Sequence, residues 1–177
     1  MIRLISSDAF SCPLIASPMP DVCESDMAIA LFKLGAYGII HRFMSKEEQV
    51  KHYNKVLDNN CNAASSIGIN GDWQERYEDL KQAGCNVFCV DVANGFSSNV
   101  ETVIDYLKRD NVYIIAGNVA SKEGYQYLDD LGVNAIRVGI AGGKVCSTKD
   151  ETGVLSPMAS TIIEISEFKK ENNLKAL

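Results

Sequence analysis

The sequence predicts an α/β fold in which a parallel sheet is built strand by strand, with a helix after each strand. Short apolar runs alternate with amphipathic segments, and the starts of successive runs are separated by 24, 26, 24, 25 and 23 residues. Several runs are apolar at nearly every position, as expected of parallel strands that are covered on both faces. We therefore expect a parallel (β/α) barrel of the TIM type that is incomplete, with six of the eight β-α units.

The six predicted strands are residues 13–17, 37–41, 63–69, 87–93, 112–116 and 135–140. Successive β-α units imply parallel strands joined by right-handed crossovers. A doubly wound open sheet is the competing architecture, and it usually carries a phosphate-binding glycine loop after its first strand. Here the first strand ends in Ser17-Pro18-Met19, so the barrel is favoured. We expect a single partial barrel domain over residues 1–177.

The helices are predicted from signals at their ends. Two segments match the capping box of a helix start, Ser45 with Glu48 and Ser98 with Glu101. Ser156 followed by Pro157 is typical of an N-cap and a first helical residue, so a sixth helix is expected there. Glycines suited to the left-handed position past a helix end are Gly35, Gly84 and Gly132.

Composition excludes several classes of function. The net charge is −6 and the basic residues are scattered, so we expect neither nucleic acid nor a membrane as partner. Residues 1–8 lack the apolar core of a signal peptide, and no apolar run approaches the roughly 20 residues of a membrane span. The six cysteines form no Cys-x-x-Cys pair, which argues against zinc. Cys85 and Cys89 are expected to be buried thiols, and a cytoplasmic location is favoured.

Polar residues and glycines gather at the carboxyl ends of the predicted strands, where the active site of a (β/α) barrel forms. They are Ser17, His41, Asp91, Asn94, Gly117 and Asn118. Each also has a plain structural interpretation, since Asp91 or Asn94 would suit the N-cap of the following helix. Their common position at one end of the strands favours a site.

The most informative segment follows the sixth strand, over residues 137–154. It turns through Gly142 and Gly143 and then presents Cys146 between Val145 and Ser147, with Thr148 next. Glycines allow the backbone conformations of a tight loop around a ligand, and a thiol on such a loop is placed for chemistry. The alternative is a polar strand-to-helix connection with an incidental cysteine.

Several motifs in the same order resemble the IMP dehydrogenase / GMP reductase family. The similar segments are 14–19, 27–30, 38–45, 91–97, 116–119, 138–140, 146–148 and 152–154. The last of them surround the position that matches the family's catalytic cysteine, Cys146. The resemblance extends over nearly the whole chain and implies the same barrel fold.

Some segments of the sequence resemble the reductase branch of that family, and one resembles the dehydrogenase branch. Dehydrogenases usually insert a regulatory domain pair between the second helix and third strand, whereas here residues 57–63 pass straight on. Asn94 within 91–95, and the segment 64–66, resemble the reductases. The segment 41–45 is more similar to the dehydrogenases. We expect a GMP reductase-like protein and keep IMP dehydrogenase as the alternative.

The resemblance implies covalent chemistry. The Cys146 thiolate would attack C2 of the purine, and covalent attachment splits a difficult substitution into easier steps. GMP and NADPH would give IMP, ammonia and NADP through a cysteine thioimidate, with Thr148 helping to move a proton. In the dehydrogenase alternative, IMP and NAD give XMP and NADH.

The resemblance also implies ligand positions. Residues corresponding to the nicotinamide site are Asp91, Val92, Ala93, Gly139, Ile140 and Ala141. Those expected near the purine nucleoside monophosphate are Ser17, Met19, Asn118 and Lys144, the last of which stands where a serine usually contacts the phosphate. The backbone carbonyls of Ala141, Gly143 and Cys146 match the family's potassium site.

With six β-α units, the predicted barrel lacks two phosphate-binding loops. In barrels these loops follow strands seven and eight, and strands one and six are expected to leave open edges. We therefore expect a complementary C-terminal polypeptide, or a homo-oligomer, to complete the barrel. The alternative is a non-catalytic binding or assembly half-barrel.

Overall fold

The computed structural model describes residues 11–143, 146 and 148–177 of the chain. In these residues six strands form one sheet, and their order in the sheet is their order in the chain, β1-β2-β3-β4-β5-β6. The strands are β1 (Ile15–Ala16), β2 (Tyr37–Ile40), β3 (Ala64–Ile67), β4 (Val87–Asp91), β5 (Tyr113–Val119) and β6 (Ala135–Val138). Parallel pairing, for example Ile15 with Tyr37 and Ile115 with Ala135, confirms the incomplete parallel (β/α) barrel.

A helix follows each strand, as the spacing predicts. The helices are α1 (Ser25–Lys33), α2 (Lys46–Asp58), α3 (Trp73–Gln82), α4 (Ser98–Lys108), α5 (Lys122–Asp130), α6 (Thr148–Thr152) and α7 (Met158–Asn172). The short α6 is not predicted by the sequence, because its residues Thr148–Thr152 include no apolar side chain. The fifth strand is longer than predicted, so Gly117 and Asn118 lie within β5 rather than after it.

The helix ends agree with the predictions in part. Ser45 is the N-cap of α2, and its hydroxyl accepts a hydrogen bond from the Glu48 N–H at 3.1 Å. The prediction for α4 is wrong by one residue, because Ser97 is the N-cap and Ser98 is already helical. The last helix is also displaced by one, with Pro157 as its N-cap. The three predicted glycines have left-handed φ values of +75°, +98° and +74° for Gly35, Gly84 and Gly132.

The chain divides into two compact units, residues 1–89 and 90–177, with the boundary inside β4. In the first unit, the buried rings of Tyr77 and Phe88 lie 4.6 Å apart between their centroids, so α3 packs on β4. Cys85 and Cys89 are buried, as expected.

A buried polar network fixes the ends of β2 and β3 in the first unit. The Gln49 side chain donates to the Ile40 carbonyl at 3.3 Å and to the Ser66 carbonyl at 2.8 Å. Its oxygen accepts from the Arg76 guanidinium at 2.8 Å, and Arg76 also donates to the Met44 carbonyl at 2.9 Å. Because buried polar groups are costly without partners, this network holds α2 and α3 in one position at the carboxyl ends of two strands.

The core of the second unit contains an apolar face of α4 and the buried residues of β5. The buried residues of α4 are Val100, Val103, Ile104 and Leu107, which is the face that the sequence predicts. The carboxyl-terminal segment packs on α5, where the Tyr125 hydroxyl donates to the Ala176 carbonyl at 2.7 Å. The Asp129 carboxylate accepts from the backbone N–H groups of Lys175 and Ala176 at 2.8 and 2.6 Å.

Candidate active site

The second unit places a charged pair across the middle strand of its sheet. Asp91 is the last residue of β4, Arg137 lies on β6, and β5 runs between them. The Arg137 guanidinium donates a hydrogen bond to the Asp91 carboxylate. The side chains are 16% exposed for Asp91 and 23% for Arg137, so the pair is largely shielded from water. In a barrel, side chains of alternate strands share a layer, and β4 and β6 are alternate strands of this sheet.

Gly117 on β5 makes room for that pair. A Cβ atom at Gly117 would lie 2.7 Å from the Arg137 Cβ and 2.7 Å from the Arg137 carbonyl oxygen, well inside normal contact distance. The glycine predicted at a strand end is therefore required by the close approach of its neighbour on β6.

Asn118 joins the ends of three strands. Its side-chain amide donates to the Gly139 carbonyl at 2.7 Å, and its backbone N–H donates to the Val92 carbonyl at 2.9 Å. Its own carbonyl accepts from the Gly95 N–H at 2.7 Å, and the Gly117–Asn118 peptide bond is cis. Asn118 thus fixes both the loop after β4 and the beginning of the cysteine loop.

Asn94 has a local structural role. Its side-chain oxygen accepts from the Phe96 N–H at 3.0 Å, which closes a turn before α4. The N-cap interpretation of Asp91 and Asn94 is wrong, because Ser97 is the N-cap of α4. Asp91 instead pairs with Arg137.

The loop after β6 has an unusual backbone. Gly139 has a φ of +114°, and Ala141 has a φ of +57°, which places a non-glycine residue in the left-handed region. The Met158 methyl group covers this loop from the first residue of α7. Added Cβ atoms at Gly139 and Gly142 would lie 3.2 and 2.6 Å from the Met158 Cε. The first residue of α7 therefore lies against this loop, and a larger residue at Gly142 would displace the Met158 methyl group.

Cys146 is partly exposed on this loop, just before α6. A hydrogen bond from the Thr148 hydroxyl and a second from the Thr148 backbone N–H hold the pKa of the Cys146 thiol below its usual range, and the charge of Lys149 acts in the same direction. By contrast, burial raises the pKa of Cys23 and of Cys85 to about 11. Low-pKa, accessible thiols are the reactive ones, so the structure distinguishes Cys146 chemically from these two buried cysteines.

One of the carbonyl oxygens expected to bind potassium has a lone pair available to coordinate the ion. The Gly143 carbonyl accepts a hydrogen bond from the Cys146 N–H at 3.1 Å, and a carbonyl oxygen retains a second lone pair for a cation. Within the described residues no group of three or more histidine, cysteine or acidic side chains forms a metal site. Lys144, expected near the phosphate, lies outside the described residues.

The first unit holds the remaining predicted residues. Met19 is half exposed after β1, and its N–H donates to the Ser17 carbonyl at 2.9 Å. His41 is buried, and both of its ring nitrogens have partners. Its Nε2 pairs with a Glu24 carboxylate oxygen at 3.1 Å and its Nδ1 accepts from the Phe43 N–H at 3.1 Å. His41 is therefore a structural residue that orders the loop after β2.

Two residues of the candidate site are not among the sequence-based predictions. Arg137 is a charged residue among the apolar residues of β6, and a charge at such a position is a signal of a buried partner. Met158 carries no such signal, since its contact with Gly139 and Gly142 depends on where α7 begins. In the described helices no segment is long and apolar enough to cross a membrane.

The fold and the loop cysteine together define a (β/α) barrel protein with a candidate nucleophile after its sixth strand. Residues 2–177 match the family description "IMP dehydrogenase / GMP reductase domain", and the chain belongs to this family. It is 33% identical over 157 residues to a GMP reductase of Chromobacterium violaceum, a match that covers 86% of this chain and 49% of the relative. It is 34% identical over 131 residues to an inosine-5'-monophosphate dehydrogenase of Tritrichomonas foetus, covering 72% and 26% of the two chains.

A solved structure shows the same fold. The inosine 5' monophosphate dehydrogenase of Legionella pneumophila matches with a TM-score of 0.80 and 36% identity, over 89% of this chain and 49% of that one. The chain thus spans about half the length of the GMP reductase and the dehydrogenase structure it matches.

Proposed function

We propose that the chain is a GMP reductase-like component that converts GMP to IMP through a covalent bond to Cys146. The observation that carries this proposal is the thiol of Cys146, whose pKa is lowered by Thr148 on the loop after β6. The overall reaction consumes GMP, NADPH and one proton, and it yields IMP, ammonia and NADP.

The Cys146 sulfur attacks C2 of the purine, and the C2 amino group leaves as ammonia, which produces the thioimidate. Thr148, whose hydroxyl contacts the sulfur, is suited to relay the proton that the leaving amine requires. A bound NADPH supplies the hydride that reduces C2. Breakage of the carbon–sulfur bond then returns the thiolate and releases IMP.

Asp91 and the loop after β6 form the proposed nicotinamide site. The proposed residues are Asp91, Val92, Ala93, Gly139, Ile140 and Ala141. Arg137 supports Asp91 by orienting its carboxylate, and Asn118 supports Gly139 through the 2.7 Å hydrogen bond. The protein's part is to bind and orient the rings, since the hydride chemistry belongs to the cofactor.

The proposed nucleotide contacts are Ser17, Met19, Asn118 and Lys144, with potassium bound by the carbonyls of Ala141, Gly143 and Cys146. The reducing cytoplasm is the proposed location, because all six cysteines are free and four of them are buried.

IMP dehydrogenase is the second candidate. The 36% identity with the Legionella dehydrogenase structure favours it, as does the dehydrogenase-like segment 41–45. Steady-state assays with GMP plus NADPH and with IMP plus NAD distinguish the two. Each assay uses the wild-type chain and the Cys146→Ala variant, mixed with a polypeptide that supplies two further β-α units. Turnover of GMP with NADPH supports the reductase if the Cys146→Ala variant abolishes it. Turnover of IMP with NAD alone contradicts the reductase.

The site also requires a nucleotide phosphate to be bound, and the usual barrel solution lies after strands seven and eight. We therefore expect the 177-residue chain to be inactive alone and active when mixed with a polypeptide that supplies two further β-α units. Activity of the chain alone, as monomer, would contradict this requirement. Activity that appears only in a self-associated form would favour a homo-oligomer, and nucleotide binding without turnover in any mixture would favour a non-catalytic half-barrel.

A further inference from the structure

Glu24, the residue before α1, joins both histidines of the chain through its carboxylate. One carboxylate oxygen lies 3.1 Å from His41 Nε2, and the other lies 3.8 Å from His52 Nε2. His41 follows β2 and His52 lies on α2, so the cluster connects three segments of the first unit. The side chains are 3% exposed for His41, 22% for His52 and 47% for Glu24. Solvent therefore reaches this cluster most readily at the carboxylate.

The partners of His41 assign its proton to Nε2. Its Nδ1 lies 3.1 Å from the backbone nitrogen of Phe43, which only donates, so Nδ1 is the acceptor. A neutral imidazole with an accepting Nδ1 carries its proton on Nε2, where it faces the Glu24 carboxylate. Protonation of the ring places a second proton on Nδ1, opposite the Phe43 N–H, and breaks that bond. A metal ion does not suit this arrangement, because a metal-bound histidine donates its other ring N–H.

His52 has a different kind of partner at its Nδ1. The Ser25 hydroxyl oxygen lies 2.9 Å away, and the Ser25 backbone nitrogen is more distant, at 3.4 Å. A hydroxyl group can donate or accept, so it donates to the neutral ring and accepts from the protonated one. The two histidines share a carboxylate, yet it is His41 that loses its shorter Nδ1 hydrogen bond when the ring gains a proton.

The hydrogen bond that His41 loses on protonation holds the middle of the loop after β2. Met44, further along this loop, is fixed by the Arg76 guanidinium, which donates to its carbonyl at 2.9 Å. Phe43 precedes this anchor and is 56% exposed, and the Arg42 guanidinium lies 4.7 Å from the centre of its ring. Release of the Phe43 N–H therefore frees a short segment while Met44 stays in place.

The other charged and titratable groups around the cluster do not compete for this role. Asp26 on α1 is paired with Lys55 on α2 at 2.7 Å, and Arg42 keeps its charge throughout. Burial raises the pKa of the Cys23 thiol to about 11, so this thiol stays neutral. Histidine is the side chain whose charge ordinarily changes between about pH 5 and 8, and the cluster responds to protons in that range through its rings.

We propose that Glu24, His41 and the Phe43 N–H form a proton-sensitive clamp, which holds the loop after β2 when His41 is neutral and releases Phe43 when His41 is protonated. The protonated ring stays beside Glu24, because a charged donor strengthens the Nε2 contact. The Nδ1 side of the ring is therefore the side that opens. The contribution of the clamp is present at higher pH and is lost as the pH falls through the titration of the ring.

The clamp acts at the carboxyl ends of two neighbouring strands. A Cβ atom at Gly68, the residue after β3, would lie 3.2 Å from the Arg42 guanidinium, so the loop after β2 also covers the end of β3. Barrels form their active sites at this end of their strands. The clamp thus links proton concentration to the conformation of this end of the first unit. It does not depend on the reaction proposed for Cys146, because all of its residues belong to the first unit.

The test is NMR spectroscopy of the full chain from about pH 8 to about pH 5. The imidazole nitrogen shifts should show His41 as the Nε2–H tautomer at the higher pH. The protection factor of the Phe43 amide, which corrects for the pH dependence of intrinsic exchange, should fall by about tenfold on acidification because one hydrogen bond is lost. The internal control is the Ala63 N–H, which donates to the side-chain oxygen of Asn62 at 2.8 Å. That acceptor does not titrate, so protection at Ala63 should change less than about twofold.

The diagnostic variant is His41→Asn, whose side-chain oxygen keeps an acceptor near the Nδ1 position and does not titrate. It should retain protection of the Phe43 amide and abolish the dependence of that protection on pH. The matched control is His52→Asn, which removes the other ring beside Glu24. In this control the fall at Phe43 should stay within about twofold of the wild-type value. Circular dichroism spectra establish that each variant is folded across the pH range.

Four results would overturn the clamp: an Nδ1–H tautomer of His41 at the higher pH, protection of Phe43 that does not fall, an equal fall in His41→Asn, or an equal fall at Ala63. Loss of the pH dependence in His52→Asn would assign the effect to the other histidine and would overturn it as well. If His41→Asn does not fold, the tautomer and the exchange of Phe43 and Ala63 in the wild-type chain still decide.

Discussion

The pair formed by Asp91 and Arg137 allows a quantitative prediction. We expect a double-mutant cycle with Asp91→Asn and Arg137→Met to give a coupling energy of about 2 kcal/mol, because hydrogen bonds to charged groups contribute about 1.5–3 kcal/mol. A pair on an open surface would give about 0–1 kcal/mol. These two side chains are 16% and 23% exposed, which places them nearer the first case.

The single variants should differ in cost. Arg137→Met removes the charge-assisted hydrogen bond to the largely shielded Asp91 carboxylate, so it should cost about 2–3 kcal/mol. Asp91→Asn keeps a hydrogen-bond acceptor for the guanidinium and should cost less, about 1–2 kcal/mol. The double variant should be less destabilised than the sum of the two.

The assay is urea unfolding of the full chain and the three variants, followed by circular dichroism. With a slope of about 2 kcal/mol per molar urea, the coupling corresponds to about 1 M in the midpoint. Equal slopes are required for the comparison. A coupling energy below about 0.5 kcal/mol, in the range of exposed pairs, would refute the view that this pair is a shielded element of the site.

Three further expectations concern the same unit. Gly117→Ala should lower the free energy of unfolding by about 2–4 kcal/mol, because the added Cβ would lie 2.7 Å from Arg137. The control Gly132→Ala, past α5 with open space around it, should lower it by about 1 kcal/mol because of its left-handed φ alone. Equal losses of unfolding free energy in urea would contradict the steric account. Alkylation of Cys146 by iodoacetamide should reach half its maximal rate at a lower pH than that of an ordinary thiol. Thr148→Val, which removes the hydroxyl and keeps the backbone N–H, should move this midpoint to higher pH. An unchanged midpoint would exclude the hydrogen bond from the Thr148 hydroxyl. Asp129→Ala should release the carboxyl-terminal segment and lower the free energy of unfolding by about 1–3 kcal/mol. The release is measured as faster amide hydrogen exchange at Ala176. Unchanged exchange there would contradict the role of Asp129.

The fold is largely predictable because its signals are local and repeated. Apolar runs spaced by about 25 residues specify strands, and the glycines past the helix ends have the left-handed φ that the pattern requires. The error at Ser98 arises because two serines are adjacent, and Ser97 is the N-cap in the structure. The displacement from Ser156 to Pro157 is within the one or two residues by which assigned helix ends vary.

The candidate site is predictable in its elements and not in its contacts. The glycine-rich loop identifies Cys146, but the hydrogen bonds from Thr148 that lower its pKa depend on the start of α6. The pairing of Asp91 with Arg137 joins residues 46 positions apart, and the motif around each of them contains no sign of the other. His41 follows a strand as site residues do, yet it is buried against Glu24.

The left-handed backbone at Ala141 limits how the cysteine loop can vary. With a φ of +57° and little exposure, this position disfavours β-branched and bulky residues, while glycine and asparagine adopt the conformation readily. Ala116 on β5, which is also buried, has no such restriction of φ. A library that carries every amino acid at positions 116 and 141 should therefore give folded variants with different residues at the two positions. Valine should be tolerated better at 116 and glycine better at 141, so the loop next to Cys146 selects amino acids by backbone conformation before it selects them by size.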